Sequence, residues 1–512
     1  KLIGSEIEKE VKKSVSEMFK TKAPSQRLTF PGKASSQAEI EQYLQSLKEL
    51  DAKTKEGKVF AFVYHLSEGH DEFVTKMHNM FINTNCLSPM AFQSLRQMEI
   101  ELVEMTSDLF HGHDEFGSVS SGGTESLLLM LKAYRDFFTN YHEEYKKIMS
   151  EKYPEKKDEI NNFQGPFEVI VCTSVHPAVN KGAHYFGLKL VEVEVDRTTF
   201  TMHPESVEKA FNPGKTILVI ASCPSYPHGI LDPIEQLSKL CVKLGPIGLH
   251  VDSCIGGYVV PFINEAVNQD VLPPFDFRLL GVTSISADLH KYGYSCKGSS
   301  VIMYRNPMIR KQQFFAYGEW SGGLYISPTI MGSKGGGPIA SSYASLKLVG
   351  REGFVKVTRE MLNTRKYIQN AIETDEVLSK YLQVVGSPCS TIIAFSSKET
   401  LSNFRNSLTK EEKYEPINIF AISDRMEKEY GWDLQRQTRP DSLHMTIMPQ
   451  HIGLEQKLVE NLRECVSYVS EHGTDYDGKD SVAMYGMIAN VKNLLSGGVV
   501  ELFLKTFLDE VY

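Results

Sequence analysis

SISADLHKYGYSCKG, residues 284–298, decides how the rest of the chain is read. A strand-like run over 281–286 leads into Asp288, Leu289, His290 and Lys291. The lysine stands between a histidine and a small polar loop carrying Tyr292 and Tyr294. Such a turn presents one lysine at the mouth of a site, where its amine can bond covalently to an aldehyde. A solvated lysine after a strand has the same local look, so the reading depends on its neighbours.

Those neighbours are regular. Apolar strand-like runs occur at FEVIVC (167–172), LKLVEVEV (188–195), TILVIAS (216–222), GLHVD (248–252), GVTSISA (281–287) and SSVIMY (299–304), with helix-like segments and turns between many of them. Short apolar runs alternating with helices predict an α/β fold, a mostly parallel sheet covered on both faces. In open sheets of this kind, sites lie beyond the carboxyl ends of the strands. Three such positions carry reactive residues. FEVIVC is followed by His176, TILVIAS by Ser225, Tyr226 and His228, and GLHV ends in Asp252. His176 also fits a core histidine, and Asp252 a helix cap.

Further upstream, SSGGTESLLLMLKAY (120–134) runs a small-residue turn into a helical segment. Gly122 and Gly123 let the backbone approach an anion, the helix start offers free N–H groups, and the Thr124 hydroxyl adds a donor. A capped helix after a tight turn explains the same residues.

The remaining segments frame this region. Residues 1–60 are highly charged, with helical spacing at Ile7, Val11, Val15 and Phe19, which predicts an amphipathic arm. Ser35 or Ser36 is placed to cap a helix carrying Ile40, Tyr43, Leu44 and Leu47. Residues 57–73 read as a short strand leading into a polar loop, and 81–110 as a loop followed by a long helix. Residues 320–337 read as a Gly/Ser-rich loop, and loops of that length are often functional. Strands at 384–397 and 442–449, with helices around 355–375 and 452–471, predict a separate α+β unit. The expected organisation is an N-terminal helical segment over 1–112, a large α/β domain over 113–350 and a small α+β domain over 351–512.

Composition narrows the function classes. The 512-residue chain has a net charge of -9, so bulk charge does not recruit nucleic acid or acidic lipid. The sequence has eight cysteines and no CxxC pair, which leaves zinc and redox motifs unsupported and favours a reducing compartment. No apolar run approaches the roughly 18 residues of a membrane span. The chain starts at Lys1 rather than Met, so an upstream segment stays open.

One chemistry uses the whole set. Pyridoxal phosphate needs a lysine for its aldehyde, a carboxylate for its ring nitrogen, an aromatic group on its ring face and donors for its phosphate. Lys291, Asp252, His176 and the Gly123–Thr124 turn supply these in order, and His290 can add a phosphate bond. With these residues in view, the chain resembles fold-type I pyridoxal-phosphate enzymes of the decarboxylase-like group, and more narrowly the sphingosine-1-phosphate lyase family. The resemblance runs from about residue 57 to the end, through SSGGTESLLL, AHYFGLKL, YPHGI, HVDSCIGGYVV, the long segment over 274–306, SPTIMGSKGGG and AMYGM (483–487).

The resemblance implies a seven-stranded, mostly parallel sheet. It implies cleavage of a phosphorylated sphingoid base between carbons 2 and 3, giving a long-chain aldehyde and phosphoethanolamine. It implies a homodimer whose sites use both chains, with Gly332 and Ser333 reaching the partner's cofactor phosphate. Lys297 and Tyr64 match positions that hold the substrate phosphate, and Tyr226 is a further pocket residue. An upstream anchor in the endoplasmic reticulum is implied for eukaryotic members; without one, a cytoplasmic location is implied.

The chain departs from the family pattern in three places. An NxLHPD stretch is replaced by Asn85-Cys86-Leu87-Ser88-Pro89-Met90, so Ser88 stands where a substrate-lining histidine is usual. Phe62 replaces a small residue, which predicts a narrowed pocket, and Lys334-Gly335 replaces Arg-Pro. Two other readings stay open on these grounds: an amino-acid decarboxylase of the same fold, and a cofactor-binding homologue with impaired catalysis.

Overall fold

The computed structural model describes residues 29–113, 116–405 and 414–473 and, near the end, 501, 504–506 and 508. The predicted amphipathic arm at Ile7, Val11, Val15 and Phe19 and the AMYGM segment lie outside the described residues.

Seven strands form the central sheet: β1 (Phe116–Ser120), β2 (Glu168–Cys172), β3 (Lys189–Val193), β4 (Thr216–Ser222), β5 (Gly248–Asp252), β6 (Val282–Ala287) and β7 (Ser300–Tyr304). Their order is β1-β7-β6-β5-β4-β2-β3. β3, β2, β4, β5 and β6 pair in parallel, and β7 runs antiparallel to both β6 and β1. Every residue of β2, β4, β5 and β7 is buried. Burial on both faces explains why these strands read as continuous apolar runs.

The predicted strands at 167–172, 216–222 and 248–252 match β2, β4 and β5 within a residue. β1 was hidden in a stretch read as a turn, because FGSVS has a single branched apolar residue. Its place beside β7 comes from long-range pairing, not from local propensity.

The 57–73 segment is corrected. It holds only an isolated bridge from Val59 to Asp433, and its polar part starts the helix Glu68–Met80, capped by the Ser67 side chain. The 320–337 loop is also corrected in part. Residues 315–327 fold into an antiparallel hairpin, β8 (Phe315–Trp320) and β9 (Gly323–Ser327), with the glycine-rich turn after it. Glycine and serine masked an alternation whose exposed positions include Phe315, Tyr317, Leu324 and Ile326.

A second sheet follows, β10 (Leu382–Val384), β11 (Ile392–Ser397), β12 (Gln435–Gln437) and β13 (Ser442–Thr446), in the order β10-β11-β13-β12 and wholly antiparallel. The long helix Gly337–Thr374 joins the two regions. Gly350 interrupts it at φ 58°. Ser36 caps Gln37–Lys48 with a full capping box to Glu39, yet no residue of that helix is buried within this chain.

Candidate active site

The carboxyl ends of β2, β4, β5 and β6 point one way, and the loops that leave them build one cleft. β6 sets its floor. Ser284 and Ser286 alternate with buried apolar residues, so they share a face. The register pairs His250 with Ser284 and Asp252 with Ser286. His250 is fully buried and bonds both hydroxyls, Nδ1 to Ser284 Oγ at 2.9 Å and Nε2 to Ser286 Oγ at 3.1 Å. Ser286 Oγ donates to Asp252 Oδ1 at 3.3 Å, and the Cys254 N–H donates to the same oxygen at 3.0 Å. Burial opposes ionisation of Asp252, but the bonds from Cys254 and the electrostatic influence of His250 and His176 together outweigh it, so the carboxyl stays below its usual range. The layer beneath Asp252 escaped the sequence reading. The period-two serines of SISAD were its visible signal.

Lys291 stands one turn beyond β6. Its Nζ lies 2.9 Å from Asp288 Oδ2, and Asp288 is only 1% exposed. Burial disfavours the ammonium, but the Asp288 carboxylate overrides it and holds the amine above its ordinary range. His290 faces the same oxygen, with its Nε2 3.7 Å from Asp288 Oδ2. The N–H groups of Gly298 and Ser299 donate to its Nδ1 at 3.2 and 3.1 Å. Burial pushes its pKa down to about 4, so the ring is neutral at pH 7.

The Gly122–Gly123 turn closes over this pair. A Cβ on Gly122 would stand 3.0 Å from His290 Cε1, and one on Gly123 would stand 2.6 Å from Asp288 Oδ2 and 2.9 Å from Cys254 Sγ. The missing side chains thus admit protein groups as well as leaving the helix start bare. Thr124, in the first turn of the helix Gly123–Asn140, is exposed. Glu125 anchors the turn by accepting from the Ser121 N–H at 2.6 Å and from Ile330 and Met331 N–H at 2.9 and 3.0 Å. His176, after β2, is exposed, and its ring feels the charges of Asp252, Lys291 and Asp288.

The donor set fits pyridoxal phosphate. An amine, a carboxylate kept ionised, an exposed imidazole and a side-chain-free helix start with a hydroxyl are gathered in one cleft. The decisive observation is the juxtaposition: the glycine turn has no side chains and packs directly on His290 and Asp288, which brings the bare helix start beside Lys291.

Lys297 closes the near wall. Its Nζ lies 4.6 Å from the Tyr64 ring centroid and donates to the His290 carbonyl at 3.4 Å. Tyr64 meets Tyr292 edge-on at 5.5 Å between centroids. Loss of water around Lys297 Nζ, aided by repulsion from Lys291, lowers its pKa to about 8. Tyr226 stacks on His444 of β13 at 4.4 Å, which brings the second sheet to the cleft.

The remaining predicted residues lie apart. Asn85 Nδ2 donates to Ser333 Oγ at 3.1 Å, and the Cys86 N–H donates to the Lys334 carbonyl at 2.9 Å. Lys334 is buried, pairs with Glu99 and donates to the Val119 carbonyl at 2.6 Å. Two departures from the family pattern, the Ser88 stretch and Lys334-Gly335, therefore pack on each other. Ser88 itself is exposed, and among the described residues no hydrogen bond or ion pair joins Ser88, Gly332 or Ser333 to Lys291 or Asp252. Phe62 is 66% exposed and has a left-handed φ of 65°, so the expected narrowing of the pocket finds no support from packing within this chain.

Comparisons with known proteins bear on family and fold. The model described as "Pyridoxal-dependent decarboxylase conserved domain" matches residues 24–398. Sphingosine-1-phosphate lyase of Arabidopsis thaliana is 36% identical over 452 residues, 87% of this chain and 74% of that protein. The Dictyostelium discoideum sphingosine-1-phosphate lyase is 31% identical over 502 residues, 98% of this chain and 85% of that protein. A solved sphingosine-1-phosphate lyase of Burkholderia pseudomallei superposes with a TM-score of 0.74 at 29% identity, covering 91% of this chain and 97% of that one.

Proposed function

Because this chain belongs to the sphingosine-1-phosphate lyase family of pyridoxal-dependent enzymes, we propose that the cleft around Lys291 cleaves phosphorylated sphingoid bases to a long-chain aldehyde and phosphoethanolamine. It is a carbon–carbon lyase, and the observation that carries the site assignment is the convergence of Lys291, Asp252, His176 and the Gly122–Gly123 cradle on one sheet edge. When bound, pyridoxal phosphate supplies an aldehyde that captures an amine and a ring that withdraws electrons from the bond to be broken.

This chain's residues would divide the work as follows. Lys291 Nζ would hold the aldehyde carbon, and Asp252 would keep the proton on the ring nitrogen. His176 would cover the ring face, while Gly123, Thr124 and His290 would hold the cofactor phosphate. Lys297, a point cation with rotatable donors, and the Tyr64 hydroxyl would hold the substrate's head-group phosphate. Tyr226, fixed by its stack on His444, would line the substrate path. Lys291 would also return a proton to the carbon from which the aldehyde has left.

The working unit would be a homodimer. The hairpin supports it, since Leu324, Ile326 and Trp320 are 82%, 63% and 54% exposed, more apolar surface than a lone chain keeps in water. Gly332 and Ser333, just after that hairpin, would reach the partner's cofactor phosphate. No helix among the described residues is long and apolar enough to cross a membrane.

The test offers phosphorylated and unphosphorylated sphingoid base to protein loaded with pyridoxal phosphate and quantifies aldehyde and phosphoethanolamine. Cleavage of the phosphorylated base alone supports the reading. Activity that survives Lys291→Ala would show the site assignment to be wrong. A visible cofactor band without turnover would favour an impaired homologue, and release of carbon dioxide from an amino acid would favour a decarboxylase.

A further inference from the structure

One acidic side chain in the cleft has no part in the assignments above. Asp288 follows β6 on the same face as Ser284 and Ser286 and is 1% exposed. Its Oδ2 contacts Lys291 Nζ at 2.9 Å and lies 3.7 Å from His290 Nε2. Its Oδ1 is buried with no hydrogen-bond partner among the described residues. Both oxygens face the Gly123–Asn140 helix start, 2.6 and 2.8 Å from where a Gly123 Cβ would stand. The backbone is tied on both sides. The Asp288 N–H donates to the Cys254 carbonyl at 3.2 Å, and the Lys291 N–H donates to the Asp288 carbonyl at 3.3 Å. The three-residue turn therefore fixes the carboxylate beside the amine.

We propose that Asp288 is the positioning residue of Lys291: its carboxylate holds the ammonium in the cleft and sets the pH at which that amine becomes a nucleophile. The proposal rests on the reading of Lys291 as the cofactor lysine.

The surroundings leave this task to Asp288. From the same turn, His290 is neutral at pH 7 because burial pushes its pKa down to about 4. From the turn after β5, burial pushes the Cys254 thiol far up, so it stays protonated. Burial likewise keeps the phenols of Tyr64 and Tyr258 neutral. Asp252, the other carboxylate of the cleft, is engaged by the Cys254 N–H and Ser286. Lys297 and His176 feel Asp288 from farther away. Lys297 has a carbonyl and a ring for company rather than a carboxylate, and its amine is the more readily neutralised of the two.

A lysine attacks an aldehyde only as the neutral amine. The proton that Lys291 gives up first leaves Nζ for solvent, and the carboxylate beside it makes that loss harder. With pyridoxal phosphate bound, Nζ would then bond to the aldehyde carbon, and the two protons left on Nζ would leave with the carbonyl oxygen as water.

The experiment strips the full chain of cofactor and follows capture of pyridoxal phosphate by absorbance from about pH 6.5 to 10. Borohydride reduction and peptide mass spectrometry then locate the modified lysine. In the wild type the label is expected on Lys291, with a capture rate that climbs about tenfold per pH unit without levelling below about pH 9.5. Asp288→Asn should capture at least about tenfold faster near pH 7.5 and level off at lower pH.

Acceleration by the same factor at every pH would overturn the proposal, because it would report relief of repulsion toward the phosphate. An unchanged profile in Asp288→Asn would also overturn it, as would a wild-type rate that levels off below about pH 9. That last result needs no variant, so the proposal stays testable if Asp288→Asn does not fold. A wild-type label on another lysine overturns both this inference and the assignment of Lys291. A label on Lys291 with an unmoved profile overturns the role of Asp288 alone.

Discussion

A methyl group on Gly123 would stand 2.6 Å from Oδ2 of Asp288, the oxygen that also contacts Lys291. The glycine turn and the lysine turn are distant in sequence, and this contact locks them into one cleft. The small residue at 123 is therefore required by a protein carboxylate and not only by a bound phosphate.

Gly123→Ala tests that lock. The added carbon has to displace Asp288 or Cys254 from a packed interior, and such overpacking costs about 1–3 kcal/mol. We expect a lowered Tm and a weakened visible cofactor band on reconstitution. Unchanged cofactor affinity with unchanged Tm would mean that the turn opens without disturbing Asp288.

Lys297 should make substrate binding depend on pH. Its pKa is lowered to about 8, so the amine is charged below that value and loses its charge above it. The KM for a phosphorylated substrate should rise as pH increases through about 8, while kcat changes less. Lys297→Arg should keep KM low at high pH, since arginine stays charged. Lys297→Met should raise KM about tenfold or more at pH 7, about 1.4 kcal/mol of lost binding. A KM that ignores pH between 7 and 9 in the wild type would remove Lys297 from phosphate recognition.

Phe62 carries backbone strain on an exposed side chain. Its φ of 65° suits glycine far better than an aromatic residue. Phe62→Gly should raise stability by about 1 kcal/mol, readable as a shift of the denaturant midpoint. A stability loss of that size would show that the ring packs on something outside this chain, the partner subunit first.

The β8–β9 hairpin should govern assembly. Leu324→Asp with Ile326→Asp places two charges where an apolar face must be covered, and charged residues are depleted from interface cores. Light scattering should show a dimer in the wild type and a monomer in the double variant, with lyase activity lost alongside. A monomeric and fully active wild type would remove the partner from the site.

Much of the fold was legible because strands buried on both faces are mostly apolar, and TILVIAS and FEVIVC carry that mark without help from context. The candidate positions followed from the rule that sites lie beyond strand ends, which singled out His176, Asp252 and Lys291 for attention. Other features were decided only by tertiary contacts. An apolar run does not encode direction, so the antiparallel setting of β7 could not be read from SVIMY. FGSVS carries little strand propensity and becomes β1 through its pairing with β7. The Gly/Ser content of 320–337 concealed β9, whose apolar side chains lie exposed within the single chain.

The charge arrangement of the cleft belongs to the second class. Asp288 was visible three residues before Lys291, yet spacing alone leaves its carboxylate free to face water. Packing against Gly123 and Cys254 turns it inward, and in that low-dielectric setting one neighbouring carboxylate decides whether a lysine is charged. Residue identities along the chain determine which chemistry is available. Which carboxylate faces which amine is determined by the fold, because charge interactions depend on distance and burial, and neither is written in sequence order.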